Sequence, residues 1–305
     1  MKRFKKLVLY DLKSKSLEKE FIEKLKQFAD SVSVVLADGE YKKQLKGSNL
    51  KGADALIIRI FDYYDDSLFK DSDLKYIGTM HTDTSHFNKK ILKEKGITLT
   101  NVDDYATEAV AELTVSALLN ISRQTHKAMK FVEDGNWGFE KFMGWELKGK
   151  TLGIIGMGNI GNRVSEISKG FGMNIVYFSR QKKDVPYEFV ELDKLLKESD
   201  VVSLHCSLNK ESEKVLNKAR LNLMKNGSIL LNSARMELID LEALYDLCKE
   251  GKISVWFDEL QNEEWRNKLI KLDAVYLTPD YGWMTKEAQK RVRKTTLNNI
   301  KNYLA

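Results

Sequence analysis

The run Gly153-Ile-Ile-Gly156-Met-Gly158-Asn-Ile-Gly161 decides the fold of this chain. From Gly156 it has the spacing G-x-G-x-x-G, and it joins an apolar run at 151–155 to a helical pattern. In such a turn the first glycine permits a tight bend, the second lets the backbone approach a pyrophosphate, and the third lets the helix pack against the strand. The run therefore predicts a Rossmann-type dinucleotide-binding turn, and a glycine-rich turn without a ligand is the alternative. The predicted cofactor contacts in this turn are Gly156, Gly158, Asn159, Ile160 and Gly161.

Strand and helix patterns alternate over all 305 residues. Apolar runs predict strands at 7–10, 32–36, 53–60, 74–80, 97–101, 151–155, 174–178, 201–206, 228–232, 253–257 and 274–277. Helical periodicity predicts helices at 16–28, 88–95, 105–131 and 285–303, and Asp103 or Asp104 is the predicted N-cap of the third. This alternation is typical of parallel sheets with crossover helices, so the fold class is α/β. The length predicts two domains, residues 1–101 with 282–305 and residues 102–281.

Composition and charge exclude several classes of function. The chain is 43% hydrophobic and 31% charged, and its net charge of +6 is spread along the sequence, which argues against a nucleic-acid surface. Cys206 and Cys248 lack metal-ligand spacing, which favours a reducing compartment and no metal site. The apolar stretch 109–121 is interrupted by Glu112 and Asn120, so no membrane span is predicted. We therefore expect a cytoplasmic protein that acts on a small molecule.

The residues after the second strand of the dinucleotide-binding domain bear on the choice of cofactor. An NAD-specific site has an acidic residue there that binds the ribose hydroxyls. This chain instead has Ser179 and Arg180, followed by Lys182 and Lys183, and cationic groups complement a 2′-phosphate. The sequence thus favours NADP(H) over NAD(H). The alternative is that these cations are ordinary surface residues of a lysine-rich chain.

Six further segments match one protein family in order and spacing. The chain resembles the D-isomer-specific 2-hydroxyacid dehydrogenases, which transfer hydride between a nicotinamide cofactor and the 2-carbon of a 2-hydroxy or 2-oxo acid. The resemblance implies a flavodoxin-like substrate domain at 1–101 and 282–305, a Rossmann domain at 102–281, and a homodimer. The segments are Ala53-Asp-Ala-Leu-Ile-Ile-Arg59, Leu74-Lys-Tyr-Ile-Gly-Thr-Met80, Thr107-Glu-Ala-Val-Ala-Glu-Leu113, Ser199-Asp-Val-Val-Ser-Leu-His-Cys206, Asn232-Ser-Ala-Arg235 and Leu277-Thr-Pro279.

The resemblance also implies roles for individual residues. Arg235 corresponds to the arginine that binds the substrate carboxylate, and its planar fork suits a carboxylate. Glu263 corresponds to the glutamate that polarises a catalytic histidine, although the adjacent Glu264 leaves the register open by one. Asp258 corresponds to a contact of the nicotinamide carboxamide. The other positions implied are Cys206 and Ala234 beside the cofactor, and His81, Thr82 and Asp83 in the loop that binds the substrate carboxylate.

The chain departs from the family where the catalytic histidine should be. The family has Thr-Pro-His, and this chain has Thr278-Pro279-Asp280. Asp83 and Met236 also stand where the family has glycine. One hypothesis is an active reductase of a 2-oxo acid or related carbonyl compound, in which Glu263 and Asp280 manage the proton and His81 is an alternative donor. The other hypothesis is an inactive NAD(P)-binding sensor or scaffold.

Overall fold

The structure of the protein is a computed structural model that describes residues 2–12, 18–37, 45–59 and 64–305. The chain forms two compact units. The first unit contains Met1–Tyr105 and Lys286–Ala305, and the second contains Ala106–Thr285. The predicted boundaries, 101 and 282, fall a few residues before the boundaries between these units.

Twelve strands and eleven α-helices follow one another along the described residues. The strands are β1 Phe4–Leu12, β2 Ala29–Ala37, β3 Ala55–Ile58, β4 Tyr76–Thr79, β5 Thr98–Thr100, β6 Thr151–Ile155, β7 Asn174–Phe178, β8 Glu188–Phe189, β9 Val201–Leu204, β10 Ser228–Asn232, β11 Ile253–Phe257 and β12 Val275–Leu277. The helices are α1 Glu18–Leu25, α2 Ser67–Lys70, α3 Lys89–Glu94, α4 Thr107–Arg123, α5 Thr125–Glu133, α6 Asn159–Gly170, α7 Leu192–Glu198, α8 Lys218–Leu221, α9 Leu241–Lys249, α10 Glu263–Leu269 and α11 Lys286–Leu304. The first two residues of the predicted helix 16–28 and the last residue of the predicted strand 53–60 lie outside the described residues.

The first unit is built on a parallel sheet with the strand order β2-β1-β3-β4-β5. This is the flavodoxin-like order, in which helices cover both faces of the sheet. Alternate residues of β1 enter different cores because side chains of a strand point to opposite faces: Val8 lies in one cluster and Leu7 in the other. The second of these clusters also contains Val292 and Ile300 of α11. The C-terminal helix is therefore part of the core of the first unit.

The second unit is built on a parallel sheet with the order β12-β11-β10-β9-β6-β7-β8. Counted from β6, the six strands through β11 have the doubly wound order 3-2-1-4-5-6, and β12 extends the sheet. The order reverses between β6 and β9, and the carboxyl ends of strands at such a switch point are where ligands bind in open α/β sheets. The predicted α/β class with a Rossmann domain and a flavodoxin-like domain is confirmed.

One predicted helix, 105–131, is two helices in the structure. Gln124 has a left-handed φ of 51° and ends α4, and its N–H binds the last carbonyls of that helix. The side chain of Asn120 then accepts a hydrogen bond from the backbone N–H of His126 at 2.8 Å, in the first turn of α5. The prediction of a continuous helix was wrong because no glycine or proline marks this break in the sequence.

The predicted N-caps of that helix were also wrong. Ala106 is the N-cap of α4 and provides no side-chain hydrogen bond. Asp104 has a left-handed φ of 58°, so the chain turns before it enters the helix. None of the helices that the structure describes is long and apolar enough to cross a membrane.

Candidate active site

The turn between β6 and α6 requires glycine at two positions. Gly156 has a left-handed φ of +100°, and a Cβ there would lie 2.6 Å from the backbone nitrogen of Cys206. A Cβ at Gly161 would overlap the carbonyl oxygen of Gly156. Strand, turn and helix can approach this closely only because these side chains are missing.

Gly158 has a different reason to be glycine. No heavy atom lies within 4 Å of the position that its Cβ would take. It is the N-cap of α6, and Asn159 and Ile160 follow it in the first turn of the helix. Open space beside the backbone and the N–H groups of a helix N-terminus are what a pyrophosphate requires. Gly158, Asn159 and Ile160 therefore fit a dinucleotide and would hold its phosphates.

The carboxyl end of β7 carries cationic side chains. The Ser179 hydroxyl donates to the carbonyl two residues later at 2.5 Å. Nη1 of Arg180 lies 3.6 Å from Oε2 of Glu211, and both side chains are 76% exposed. Lys182 and Lys183 are also exposed. The carboxylate that pairs with Arg180 thus comes from the loop after β9, not from the end of β7 itself.

A histidine that the sequence analysis did not single out connects the two loops predicted to line the cofactor. His205 lies 2.7 Å from the Ser203 hydroxyl through Nε2 and 3.2 Å from the Ser233 hydroxyl through Nδ1. Burial lowers the pKa of His205 to about 3, so the ring is neutral and its two nitrogens differ in donor and acceptor role. Cys206 follows this ring directly, and Ala234 follows the serine on the other loop. The histidine therefore positions both predicted cofactor contacts.

Arg235 lies in the loop after β10 and forms an ion pair with Glu259. Its Nη1 donates to Oε1 of Glu259 at 2.5 Å, and the two side chains are 26% and 17% exposed. The pKa of Glu259 is raised to about 7. Burial is the largest cause, and the charges of Asp280 and Glu237 also raise this pKa, whereas Arg235 lowers it. Met236, which replaces the glycine expected after the arginine, packs partly buried against the core of the second unit. The arginine predicted to bind the substrate thus faces an internal carboxyl group.

Asp258 holds the turn that follows β12. Its Oδ1 accepts hydrogen bonds from the Thr278 hydroxyl at 2.7 Å and from the N–H of Tyr281 at 3.2 Å. Its Oδ2 accepts from the N–H of Gly282 at 2.9 Å, and its carbonyl accepts from the N–H of Asp280 at 2.7 Å. Both carboxylate oxygens are therefore bound within the turn. The contact with the nicotinamide carboxamide that the resemblance implies stays a prediction.

Asp280 occupies the centre of that turn with a left-handed φ of 53°. Its carbonyl accepts a hydrogen bond from the indole N–H of Trp283 at 3.0 Å. Asp280 is accessible to solvent, yet protein atoms crowd its carboxyl group enough that burial raises its pKa to about 6. The charge of Asp258 adds to this shift, whereas Arg235 and Trp283 oppose it. A carboxyl group with such a pKa can hold a proton close to neutral pH.

Glu263 lies apart from this group of charges. It is an exposed residue in the first turn of α10, whose N-cap is Asn262. The adjacent Glu264 pairs with Lys268 at 2.6 Å. Among the described residues, the charges that shift the pKa of Asp280 are Asp258 and Arg235, not Glu263. The signal that could have identified Glu259 instead is an acidic residue just beyond the apolar strand 253–257, where side chains face the ligand edge of the sheet.

The first unit contains the other predicted substrate residues in one turn after β4. Nδ1 of His81 lies 2.8 Å from the Thr79 hydroxyl and 2.8 Å from the carbonyl oxygen of Asp83. Because a carbonyl can only accept, this nitrogen carries a proton. The Thr82 hydroxyl donates to the carbonyl of Val102 at 3.0 Å, and Oδ1 of Asp83 accepts from a backbone N–H two residues later. His81, Thr82 and Asp83 therefore lie together, while Arg235 and Asp280 belong to the second unit.

The fold and the second unit's site define a nicotinamide-dinucleotide-dependent oxidoreductase. The described residues contain no group of three or more His, Cys, Asp or Glu that could hold a metal ion. The glycine turn provides space and N–H groups for a pyrophosphate, and an arginine and two carboxyl groups with raised pKa lie together at the ligand edge of the sheet.

Comparison with known proteins identifies the family. Residues 115–282 match the NAD-binding domain of D-isomer specific 2-hydroxyacid dehydrogenases. A glyoxylate reductase from Thermococcus litoralis is 35% identical over 266 residues, 82% of this chain and 80% of that protein. A hydroxypyruvate reductase from Thermotoga maritima is 38% identical over 227 residues, 72% of this chain and 74% of that protein. The solved structure of an acyclic imino acid reductase in complex with NADPH and D-Arg superposes with a TM-score of 0.86 at 29% identity, covering 98% of this chain and 97% of that one.

The chain belongs to the D-isomer specific 2-hydroxyacid dehydrogenase family. It is a nicotinamide-dependent oxidoreductase, as the sequence resemblance predicted. These relatives are reductases, which gives no support to the alternative of an inactive binding protein.

Proposed function

We propose that the protein is an NADP(H)-dependent reductase of a 2-oxo acid or of the imine derived from one, and that Asp280 replaces the family's histidine as the acid. The observation that carries this proposal is the raised pKa of Asp280, about 6, beside the positive charge of Arg235. An ordinary aspartic acid would be ionised at the pH of the cell and could not donate a proton. With a pKa of about 6, a minor fraction of the Asp280 carboxyl groups still holds a proton at neutral pH.

The cofactor, when bound, supplies a hydride to the 2-carbon of the substrate. Arg235 binds the substrate carboxylate and orients the 2-carbon, because a guanidinium binds a carboxylate through two parallel hydrogen bonds. With a carbonyl substrate, reduction of the 2-carbon leaves its oxygen in need of a proton. The protonated carboxyl group of Asp280 donates its proton to that oxygen, so the product is a 2-hydroxy acid and Asp280 is left ionised.

A C=N substrate is the second candidate, and the charge of the site favours it. More carboxyl groups than cations interact with Asp280. The carboxyl groups are those of Asp258 and Glu259, and the cation is Arg235. A protonated imine already carries its proton on nitrogen, so an ionised Asp280 would stabilise it as a counterion. The acyclic imino acid reductase that shares this fold was solved with NADPH and an amino acid.

The two substrates predict different pH profiles in one assay. NADPH oxidation is measured with glyoxylate, hydroxypyruvate and pyruvate, each with and without methylamine, which forms the imine. Reduction of the carbonyl should fall as pH rises through about 6, because the acid form of Asp280 is lost. Reduction of the imine should persist above that pH, until the imine itself loses its proton.

Asp280→Asn tests the assignment of the acid. The variant keeps the size of the side chain but has no proton to give, so carbonyl reduction should fall by a factor of about 10² to 10⁴. NADPH binding should be unchanged. Full activity of Asp280→Asn on both kinds of substrate would contradict the role of Asp280, and the proton would then come from His81 or water.

Glu263, which the resemblance assigned as the partner of the catalytic acid, stays a prediction. We favour Glu259 for that position, because the charge of Asp280 acts on the pKa of Glu259 while Glu263 lies exposed at the start of α10. Glu263→Gln should therefore retain most of the activity. A loss comparable to that of Asp280→Asn would return the role to Glu263.

The preference for NADP(H) rests on Ser179 and Arg180. The strand end lacks the carboxylate that would repel a 2′-phosphate, and the exposed guanidinium of Arg180 can pair with it. Arg180→Ala should weaken NADPH binding by about tenfold or more and change NADH binding little, as measured by fluorescence titration. Equal or tighter binding of NADH by the unchanged protein would refute the preference.

We also propose that the protein is a cytoplasmic homodimer. The described cysteines, Cys206 and Cys248, are free thiols, which fits a reducing compartment. Large apolar side chains are exposed along α5 and the segment after it, including Trp137 at 90% and Met143 at 87%. Apolar groups concentrated in this way are typical of a protein interface. The sequence pointed to the long helix after residue 101, but most of the apolar side chains of α4 are buried in the core of the second unit.

A further inference from the structure

Glu259 accepts a hydrogen bond from Arg235, the arginine that we expect to bind the substrate carboxylate. Its Oε1 accepts from Nη1 of Arg235 at 2.5 Å, a close contact between groups of opposite charge. Both side chains are largely buried, so solvent screens this pair weakly. The loop after β10 and the end of β11 carry the two partners, and neighbouring strands pair Asn232 with Phe257 immediately before these loops. The contact is therefore set by the sheet.

A substrate carboxylate and a charged Glu259 compete for the same guanidinium. The fork of an arginine binds a carboxylate best when two parallel N–H groups face it, and Glu259 takes up an N–H of Nη1, which belongs to the pair formed by Nη1 and Nη2. One positive charge cannot neutralise two partly buried anions, and a second buried anion would cost free energy. Either the substrate binds weakly or Glu259 loses its charge.

We propose that Glu259 is an internal counterion that gives up Arg235 to the substrate carboxylate and takes up a proton as it does so. This inference rests on the proposed role of Arg235 as the substrate-binding arginine. The exchange is balanced: one anion and one proton bind together, and the ion pair between Glu259 and Arg235 is replaced by one between the substrate and Arg235. Glu259 is a specificity-determining residue in this scheme, since it sets the pH range in which anionic substrates bind.

Once an anion is bound to Arg235, the surroundings of Glu259 favour its neutral form. Among the residues that the structure describes, burial and the charges of Asp280 and Glu237 favour the neutral form of Glu259, and the charge of Arg235 favours the charged form. An anion on Arg235 cancels that one favourable charge and adds a negative charge of its own. The pKa of Glu259, about 7 before binding, must then rise, which means that binding takes up a proton above that pH.

The consequence is a pH dependence of anion binding that differs from that of Asp280. Below about pH 7 Glu259 is already neutral and no proton is needed. Above it, the dissociation constant of an anion should rise by up to about tenfold per pH unit. Asp280 titrates lower, at about 6, so the range above pH 7 isolates the contribution of Glu259.

The test is calorimetric titration of the NADPH-loaded protein with oxamate, an unreactive analogue of a 2-oxo acid, between about pH 6 and about pH 9. Each titration is repeated in buffers of different ionisation enthalpy, which counts protons taken up per oxamate. The unchanged protein should take up close to one proton at the upper end of this range. Glu259→Gln, which keeps the shape and removes the titration, should take up far less and should bind oxamate more tightly than the unchanged protein above pH ~8. Glu250→Gln, at an exposed carboxyl group paired with Lys252, is the matched control and should behave as the unchanged protein.

Failures of the two proposals are distinguishable. If Glu259→Gln keeps the full pH dependence while Arg235→Gln loses oxamate binding, Arg235 remains the substrate arginine and the exchange at Glu259 is wrong. If Arg235→Gln binds oxamate as tightly as the unchanged protein, both the substrate-binding role of Arg235 and the exchange at Glu259 are wrong. The same follows if the unchanged protein fails to bind oxamate at about pH 6, where Glu259 is neutral.

Discussion

Replacing Asp258 by asparagine should loosen the turn that carries Asp280 and shift its titration. Asp258 accepts three hydrogen bonds through its two carboxylate oxygens, one of them from the N–H of Gly282 at 2.9 Å. Asparagine has one oxygen, so its amide nitrogen would face an N–H group and that bond would be lost. A hydrogen bond to a charged group contributes about 1.5 to 3 kcal/mol, so the free energy of unfolding should fall by about that amount.

The same substitution should change the chemistry in a defined direction. The negative charge of Asp258 helps to raise the pKa of Asp280 to about 6, and removing the charge should lower that pKa toward the ordinary value of 3.8. Carbonyl reduction should then begin to fall at a lower pH than in the unchanged protein. The assay is kcat/KM for carbonyl reduction across the acidic and neutral range, together with unfolding in urea.

A second variant separates the loss of structure from the loss of charge. Gly282→Ala would place a Cβ 2.7 Å from Oδ2 of Asp258, so it disturbs the same contact while the charge remains. It should lower the free energy of unfolding, but the pKa of Asp280 should stay higher than in Asp258→Asn. If Asp258→Asn left both the urea midpoint and the pH profile unchanged, the account of this turn would be refuted.

Three other outcomes are expected. Gly161→Ala should destabilise the protein by about 1 to 3 kcal/mol and abolish NADPH binding, because its Cβ would overlap the carbonyl of Gly156. Gly170→Ala, with no atom within 4 Å of its Cβ, should do neither, and equal melting temperatures of the two variants would contradict this. The free energy of unfolding of the unchanged protein should fall as pH rises from about 4.5 through about 7, because folding raises the pKa of Glu259 and the folded state holds that proton more tightly. Glu259→Gln should reduce this fall when the free energy is measured by urea titration at each pH. Trp137→Asp should convert a dimer to a monomer in sedimentation or light scattering, and an unchanged mass would place the interface elsewhere.

Most of the second unit's sheet could be predicted because its strands are buried on both faces. Such strands are continuous apolar runs, and β6, β7, β10 and β11 have the predicted bounds. The short edge strand β8 was missed, since Glu188–Phe189 has neither length nor an apolar run. The break at Gln124 was missed for a related reason: it depends on a side-chain cap from Asn120 and not on a residue that forbids a helix.

The sequence supplied candidate residues for the site but not the ion pair between Arg235 and Glu259. Arg235 and Asp280 could be named as candidates because the resemblance fixes their distance from recognisable segments. Glu259 was not found, because its role depends on where the chain leaves β11 relative to the loop after β10. His205 was missed since a histidine in an apolar strand pattern gives no sign that both of its nitrogens will bind serine hydroxyls.

The position of α11 has a consequence for how the chain is made on the ribosome. The strands of the first unit all precede the second unit in the sequence, but the core of the first unit includes Val292 and Ile300 of α11. The intervening second unit must be translated before α11, which takes on the order of ten seconds or more at typical rates of synthesis. The second unit is continuous in sequence and can fold while translation proceeds. The N-terminal strands must wait with apolar surface uncovered, so they are the part of the nascent protein that a chaperone would have most reason to bind.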